Sequence, residues 1–214
     1  MNTQKITVKQ YDSWIEKGIL TKYDRIELLK GEIVEKSRKT PQHCYFTDVF
    51  MRRFFKIFDD KVIVRNQNPI RLDEFSEPEP DIVLATPRND GFEYSHPTPD
   101  EIHLILEVSN EVTLNFDRNT KGEAYSRAGI RQYLVLNVPE KTLEDYREPG
   151  ADGFQTKQTY RAGQTFNLVA FPEISLQVSD FFSCNFSRIT KTGTLELTSK
   201  ISYQMPAAEV RSFL

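Results

Sequence analysis

Two acids in this chain stand where acids are costly. Asp81 opens the apolar run Ile82-Val83-Leu84-Ala85, and Glu107 lies inside the next one, Leu104-Ile105-Leu106-Glu107-Val108. A carboxylate among residues that pack as a buried strand needs a compensating charge or hydrogen bonds. A divalent cation held between two such strands would supply it. Magnesium takes oxygen ligands, usually one or two carboxylates completed by waters and a substrate phosphate. Asp81, Glu107 and the main-chain carbonyl of Val108 make such a set. A cation so held can neutralise charge on a phosphate and activate water, which is the chemistry of metal-assisted hydrolysis. Taken alone, Asp81 after Pro80 also reads as a loop cap, so Glu107 is the sharper signal.

Strand parity tests whether the two acids can meet. Successive strand residues alternate faces, so His103, Ile105, Glu107 and Ser109 share one face. Leu104, Leu106 and Val108 share the other, suited to packing on a helix. Asp117 and Lys121 follow four residues apart, one helical turn, and read either as a surface ion pair or as a helix that sends an ammonium back to Glu107. There Lys121 could polarise a water or stabilise charge on a phosphate. Tyr125 extends the same helical face, as packing or as a phosphate contact. His43, near a helix start, reads as a cap partner, a surface residue or a ligand. Gln67 stands between two strand pieces, and Glu32 follows a Lys-Gly turn.

The elements around these residues are legible from periodicity. Residues 8–18 predict a short helix carrying Tyr11, Trp14 and Ile15. Arg25–Leu29 and Glu32–Glu35 around Lys30-Gly31 predict a hairpin. Thr40-Pro41 is a helix start, and Phe46, Phe50, Phe54, Ile57 and Phe58 recur at helical spacing over 42–59. Strands are expected at 61–66, 81–85, 102–109 and 132–138, with Pro69–Leu72 extended and the acidic stretch 73–80 a loop. Residues 86–101 hold three prolines and one glycine and read as an exposed loop. A helix is expected from about Phe116 to Ala128, ending at Gly129. A strand straight after that helix implies a parallel crossover, and 142–178 reads as a meander. The whole is α+β on one mixed sheet, a single domain over residues 1–186. Residues 187–214 are polar without a period and read as a loosely packed tail.

Composition narrows the class. The chain has 214 residues, 38% hydrophobic and 28% charged, which suits a soluble globular domain. Its formal charge of −3 neither favours nor excludes a polyanionic partner. Arg52, Arg53 and Lys56 form a basic segment, whereas Asp73, Glu74, Glu77, Glu79 and Asp81 are acidic. Cys44 and Cys184 form neither a disulfide framework nor a zinc pattern. No signal peptide is visible at the start, and no run reaches the roughly 18 apolar residues of a membrane span. A cytoplasmic protein is expected, with no membrane partner.

The order Gly31-Glu32, His43, Gln67, Pro78-Glu79-Pro80-Asp81, Glu107-Val108-Ser109, Asp117-Arg118, Lys121, Tyr125, Ala128-Gly129-Ile130 and Tyr133 resembles the Uma family of bacterial restriction-endonuclease-like proteins. That family lies within the PD-(D/E)XK nuclease superfamily. The resemblance covers about residues 8–182 and is most specific from Glu107 to Asn137. It implies a restriction-endonuclease-like central mixed sheet flanked by helices, with an N-terminal hairpin. It implies Asp81 and Glu107 as magnesium ligands, with manganese able to substitute, DNA as substrate, and a homodimer. The superfamily places a lysine two positions after the second acid; here that position is Ser109, and Lys121 on the helix is implied to replace it. Glu32 and His43 match positions that line such sites. Two other classes remain: a nuclease-like fold that binds or assembles without turnover, and a two-carboxylate glycoside hydrolase. The latter is disfavoured because it leaves Lys121 without a role.

Overall fold

A computed structural model describes residues 4–21 and 23–182, and the predicted 187–214 tail lies outside them. Its centre is a six-stranded mixed sheet in the order β3-β4-β5-β6-β7-β8, made by β3 (Ile63–Asn66), β4 (Ile82–Ala85), β5 (Ile102–Ser109), β6 (Gln132–Asn137), β7 (Thr142–Arg147) and β8 (Thr156–Tyr160). Among the described residues only β5 and β6 of this sheet run parallel, and the helix between them is the crossover such a pair needs. The fold is α+β.

The strands' parity is what the apolar pattern predicts. Leu104, Leu106 and Val108 of β5 pack with Phe46, Phe50, Phe54 and Phe58 of α2 (Pro41–Phe58). Ile105 faces the other way, with Val83, Tyr125, Tyr133 and Val135. The phenylalanines of α2 recur every four residues and present one apolar stripe to the sheet. Thr40 caps α2 by accepting from His43 N, with Pro41 in the first turn. Phe181 of α5 (Ser179–Phe182) stacks on Phe50 at 4.2 Å between ring centroids.

The hairpin is β1 (Ile26–Leu29) with β2 (Glu32–Glu35), closed by Lys30 and Gly31 at φ +55° and +82°. A two-residue turn with both φ positive matches the right-handed twist of the strands. Glycine is required here twice over, since a Cβ on Gly31 would lie 2.7 Å from Lys5 Cβ. Helix α1 (Val8–Glu16) starts on a Thr7–Gln10 capping box and packs Val8 and Tyr11 on Leu28.

One expectation changes and two gain detail. The sheet is not single: the hairpin stands alone, and β9 (Thr165–Leu168) with β10 (Phe171–Gln177) form a third, separate pair rather than continuing the meander. The acidic 73–80 segment is a loop but not a free one, because Glu77 N bonds to Leu28 O and Ser76 and Glu77 are buried. The helix after β5 runs where it is expected and continuously, as α3 (Leu114–Phe116), a π turn (Asp117–Lys121) and α4 (Gly122–Arg127), with Gly129 at φ +84° behind it; the π turn is the added feature. Cys44 is an exposed free thiol. No helix among the described residues is long and apolar enough to cross a membrane.

Candidate active site

The two acids meet. Ile82 pairs with Leu106 in the antiparallel register, which sets Asp81 opposite Glu107 on one face. Two main-chain bonds lock them: Asp81 N donates to Glu107 Oε2 at 3.2 Å, and Val108 N donates to Asp81 Oδ2 at 2.8 Å. Glu107 is 3% exposed. Lys121 reaches it from the π turn, with Nζ 2.9 Å from Glu107 Oε1, and Tyr125 donates to the same oxygen at 2.8 Å. The surface ion pair of Asp117 and Lys121 does not form. Both are buried, and Asp117 accepts from Ser109 Oγ at 2.7 Å instead. The π turn achieves this by adding a residue to the helical repeat, as Gly122 N bonds to Asp117 O. Such turns recur at functional sites. The Tyr133 hydroxyl also donates to Asp117 O, at 2.9 Å.

His43 and Gln67 complete the surround of Asp81. Nε2 of His43 is 2.9 Å from Asp81 Oδ1, and its Nδ1 is 3.1 Å from the Val108 carbonyl oxygen. Both oxygens are acceptors that a ring protonated on both nitrogens would satisfy, and the Gln67 amide nitrogen lies 3.3 Å from the same Nε2. Burial opposes this charge, but Asp81 and the Val108 carbonyl outweigh it and hold the His43 pKa above its ordinary value. Gln67 donates to Asp81 Oδ1 at 3.0 Å. Its backbone is at φ +52°, a conformation that non-glycine residues adopt rarely and that clusters at functional sites.

Glu32 is not brought to this place. It is exposed on β2, opposite Leu29. Glu27 of β1 comes instead. It is 1% exposed, its Oε1 lies 3.4 Å from Lys121 Nζ, and its Oε2 accepts from Glu79 N at 2.9 Å. The signal was available, because Glu27 interrupts Ile26, Leu28 and Leu29 as Glu107 interrupts its own strand.

The electrostatics explain what the group can do. Four carboxylates (Glu27, Asp81, Glu107 and Asp117) are buried here against Lys121 and His43. Burial pushes the Glu107 pKa well up, with Asp81 adding to it against the pull of Lys121. Burial would lower the Lys121 pKa, but Glu107, Glu27 and Asp117 drive it well up. Burial likewise raises Asp117. Asp81 is shifted down despite burial, by His43, Gln67 and Val108 N. The cluster is short of positive charge, and the His43 ring already bridges Asp81 and the Val108 carbonyl, which belong to the oxygen set that would hold a cation. The donor set is hard oxygen and fits magnesium or manganese. Among the described residues no point is ringed by three or more acidic, histidine or cysteine side chains, so the fit is a sparse one. The group lies in a cavity of about 700 Å³.

The sequence matches, over residues 8–179, the Uma2 family, described as "Putative restriction endonuclease". The chain belongs to the Uma2 family. A solved structure is similar to it: "a putative nuclease belonging to DUF820" from Anabaena variabilis ATCC 29413, with a TM-score of 0.66 and 14% identity. The likeness covers 83% of this chain and 97% of that one, and it shows a shared fold. No curated relative matches the sequence. Uma2 membership accords with a nuclease-type site built on a mixed sheet.

Proposed function

We propose that this Uma2 protein is a magnesium-dependent DNA endonuclease that hydrolyses phosphodiester bonds. The observation that carries the reading is the meeting of Asp81, Glu107, the Val108 carbonyl and Lys121 on one cavity floor. Asp81, Glu107 and the Val108 carbonyl would hold magnesium, with manganese as substitute, and the bound ion supplies charge stabilisation and water activation.

The remaining steps belong to the chain. Lys121 keeps its proton among the carboxylates and donates hydrogen bonds to an oxygen of the scissile phosphate or to the attacking water. The water's oxygen bonds to phosphorus as the opposite phosphorus–oxygen bond breaks; the water gives up a proton to solvent and the leaving oxygen takes one from solvent, so that the products are a phosphomonoester and an alcohol. Glu27 positions Lys121 from the hairpin side, and Tyr125 clamps Glu107 in one rotamer. Ser109 takes no lysine's role; it anchors Asp117, which keeps the π turn in place. His43 and Gln67 aim Asp81, and His43 would be within reach of a phosphate bound at Asp81. A homodimer with one such site for each DNA strand belongs to the same reading.

The decisive experiment incubates purified protein with supercoiled, linear and single-stranded DNA, with and without magnesium or manganese. Cleavage should require the cation and vanish in Asp81→Asn and Glu107→Gln, and calorimetry should show metal binding abolished in the same variants. A second reading, a nuclease-like module without turnover, is favoured by the closed network in which every oxygen of Asp81 and Glu107 already has a protein donor. Cation-independent DNA binding with no cleavage under any of those conditions would establish it instead.

A further inference from the structure

We propose that the segment joining β2 to α2, with Arg25 beside it, is the track that grips the phosphates flanking the scissile one. This rests on the nuclease reading. The cavity floor is acidic, and a polyanion is repelled by such a floor unless cations stand close by. They stand together. Arg25, Lys36, Arg38 and Lys39 all line the cavity. Lys36 N bonds to Arg25 O at 2.7 Å, which carries the hairpin ladder beyond its last paired strand residues. The Arg25 guanidinium then donates to the Ser37 carbonyl. The strip is thus held as a continuation of the hairpin.

Its charges are mostly uncompensated. Lys36 is neutralised by Glu79. Arg25 bonds a neutral carbonyl, and Lys39 bonds the neutral amide oxygen of Gln67. The Arg38 side chain has no hydrogen bond or ion pair among the described residues, and it is exposed. Three positive charges are therefore free to meet phosphate. An ordinary solvated surface would not tie them to the site, but this strip is tied: Lys39 bonds Gln67, whose Nε2 donates to Asp81 Oδ1 at 3.0 Å. A fully extended backbone from Lys36 to Lys39 would reach roughly 10 Å, about three base-pair rises along a duplex axis. Val112, 79% exposed, and Phe116 add an apolar part of the lining for sugar and base.

The test is fluorescence anisotropy of labelled single-stranded and duplex DNA on the full chain across a salt series. Calcium, which takes the same oxygen ligands, replaces magnesium. Removing one lysine or arginine from a phosphate should flatten the slope of log K against log salt by about 0.9 for duplex and 0.7 for single strands. Arg38→Gln and Lys39→Gln should each flatten it by about one such step, the double variant by two, with affinity falling alike for all sequences. Arg38→Lys, which keeps the charge, should restore the slope. Lys61→Gln, exposed in the turn before β3 at the end of the sheet away from Asp81, should follow the unaltered protein. Unchanged slopes in the double variant, while Asp81→Asn still abolishes cleavage, would overturn the track and leave the nuclease reading standing. No DNA binding by the unaltered protein at low salt would overturn both.

Discussion

Lys121 Nζ stands 2.9 Å from Glu107 Oε1 although the two residues lie 14 positions apart. A lysine on the same strand as its acid is fixed by the pleat alone. Here the distance depends on a helix, and on a π turn within it, to aim the side chain back at the sheet. Lys121 is 6% exposed and its ammonium lies among carboxylates, so its stem is ordered by packing and its charge by neighbours.

Lys121→Met should therefore destabilise the fold by about 3–5 kcal/mol at neutral pH, since removing one partner of a buried pair strands the other. The loss should deepen with pH. Glu107 already has its folded-state pKa raised by burial, and it rises further without Lys121. A carboxyl with a raised folded-state pKa favours the native state at low pH, and that support is lost as pH climbs above its unfolded value near 4.5. Urea denaturation of the variant at pH 5 and pH 8 measures the difference. A pH-independent penalty would mean that Glu107 is not confined as described.

Much of this site was legible in sequence because strand parity is a rigid rule. Once 102–109 is a strand, Glu107 and Ser109 must face one way and Leu106 and Val108 the other, and they do. The hairpin and α2 were equally plain from Lys30-Gly31 and Thr40-Pro41. What escaped depended on distant parts of the chain. Glu27 carries the same local signal as Glu107, but its burial is settled only when the hairpin docks against the 76–81 loop. Glu32 looked better placed after its turn, yet β2 turns that residue to solvent. The π turn has no sequence period of its own, and the φ of Gln67 follows from the bond its N makes to Asp81 O.

Glu27 and Glu32 separate these readings in one experiment. Glu27→Gln weakens the second carboxylate interaction with Lys121 and should lower kcat for DNA cleavage by about tenfold, on the order of 1.4 kcal/mol, with KM little changed. A merely structural role would lower the melting temperature without that split. Glu32→Gln should match the unaltered protein in both constants. Equal effects from the two variants would remove Glu27 from the site.

His43 should titrate as a residue held in its charged form. Its pKa is raised because the Asp81 carboxylate and the Val108 carbonyl outweigh burial. A raised pKa contributes stability that is fully present below the ordinary value of 6.5 and is lost as pH rises through the folded-state value. Imidazole resonances followed by NMR in cation-free protein should show a titration midpoint above the ordinary 6.5. In Asp81→Asn the midpoint should drop. If His43 titrates at its ordinary value, the bridge between Asp81 and Val108 is not an imidazolium one.

Acid should reveal a second buried charge, outside the acid cluster, that fastens the π turn to the sheet. Glu144 on β7 accepts from Arg118 Nε at 2.9 Å, Tyr146 hydroxyl at 2.7 Å and Lys157 Nζ at 2.9 Å. Burial raises its pKa, but these three donors carry it down to about 2. A depressed folded-state pKa gives stability that is present above the unfolded value near 4.5 and drains away as pH falls towards 2. Arg118 and Lys157 are partly open to solvent, which screens the effect to about 1–3 kcal/mol. Chemical denaturation from pH 6 down to pH 3 should show that loss in the unaltered protein and a shallower one in Glu144→Gln, which begins less stable. The same bond ties Arg118, inside the π turn, to the sheet, so cleavage by Glu144→Gln should also fall at neutral pH. Parallel acid limbs in the two proteins would show that Glu144 is not the group that titrates.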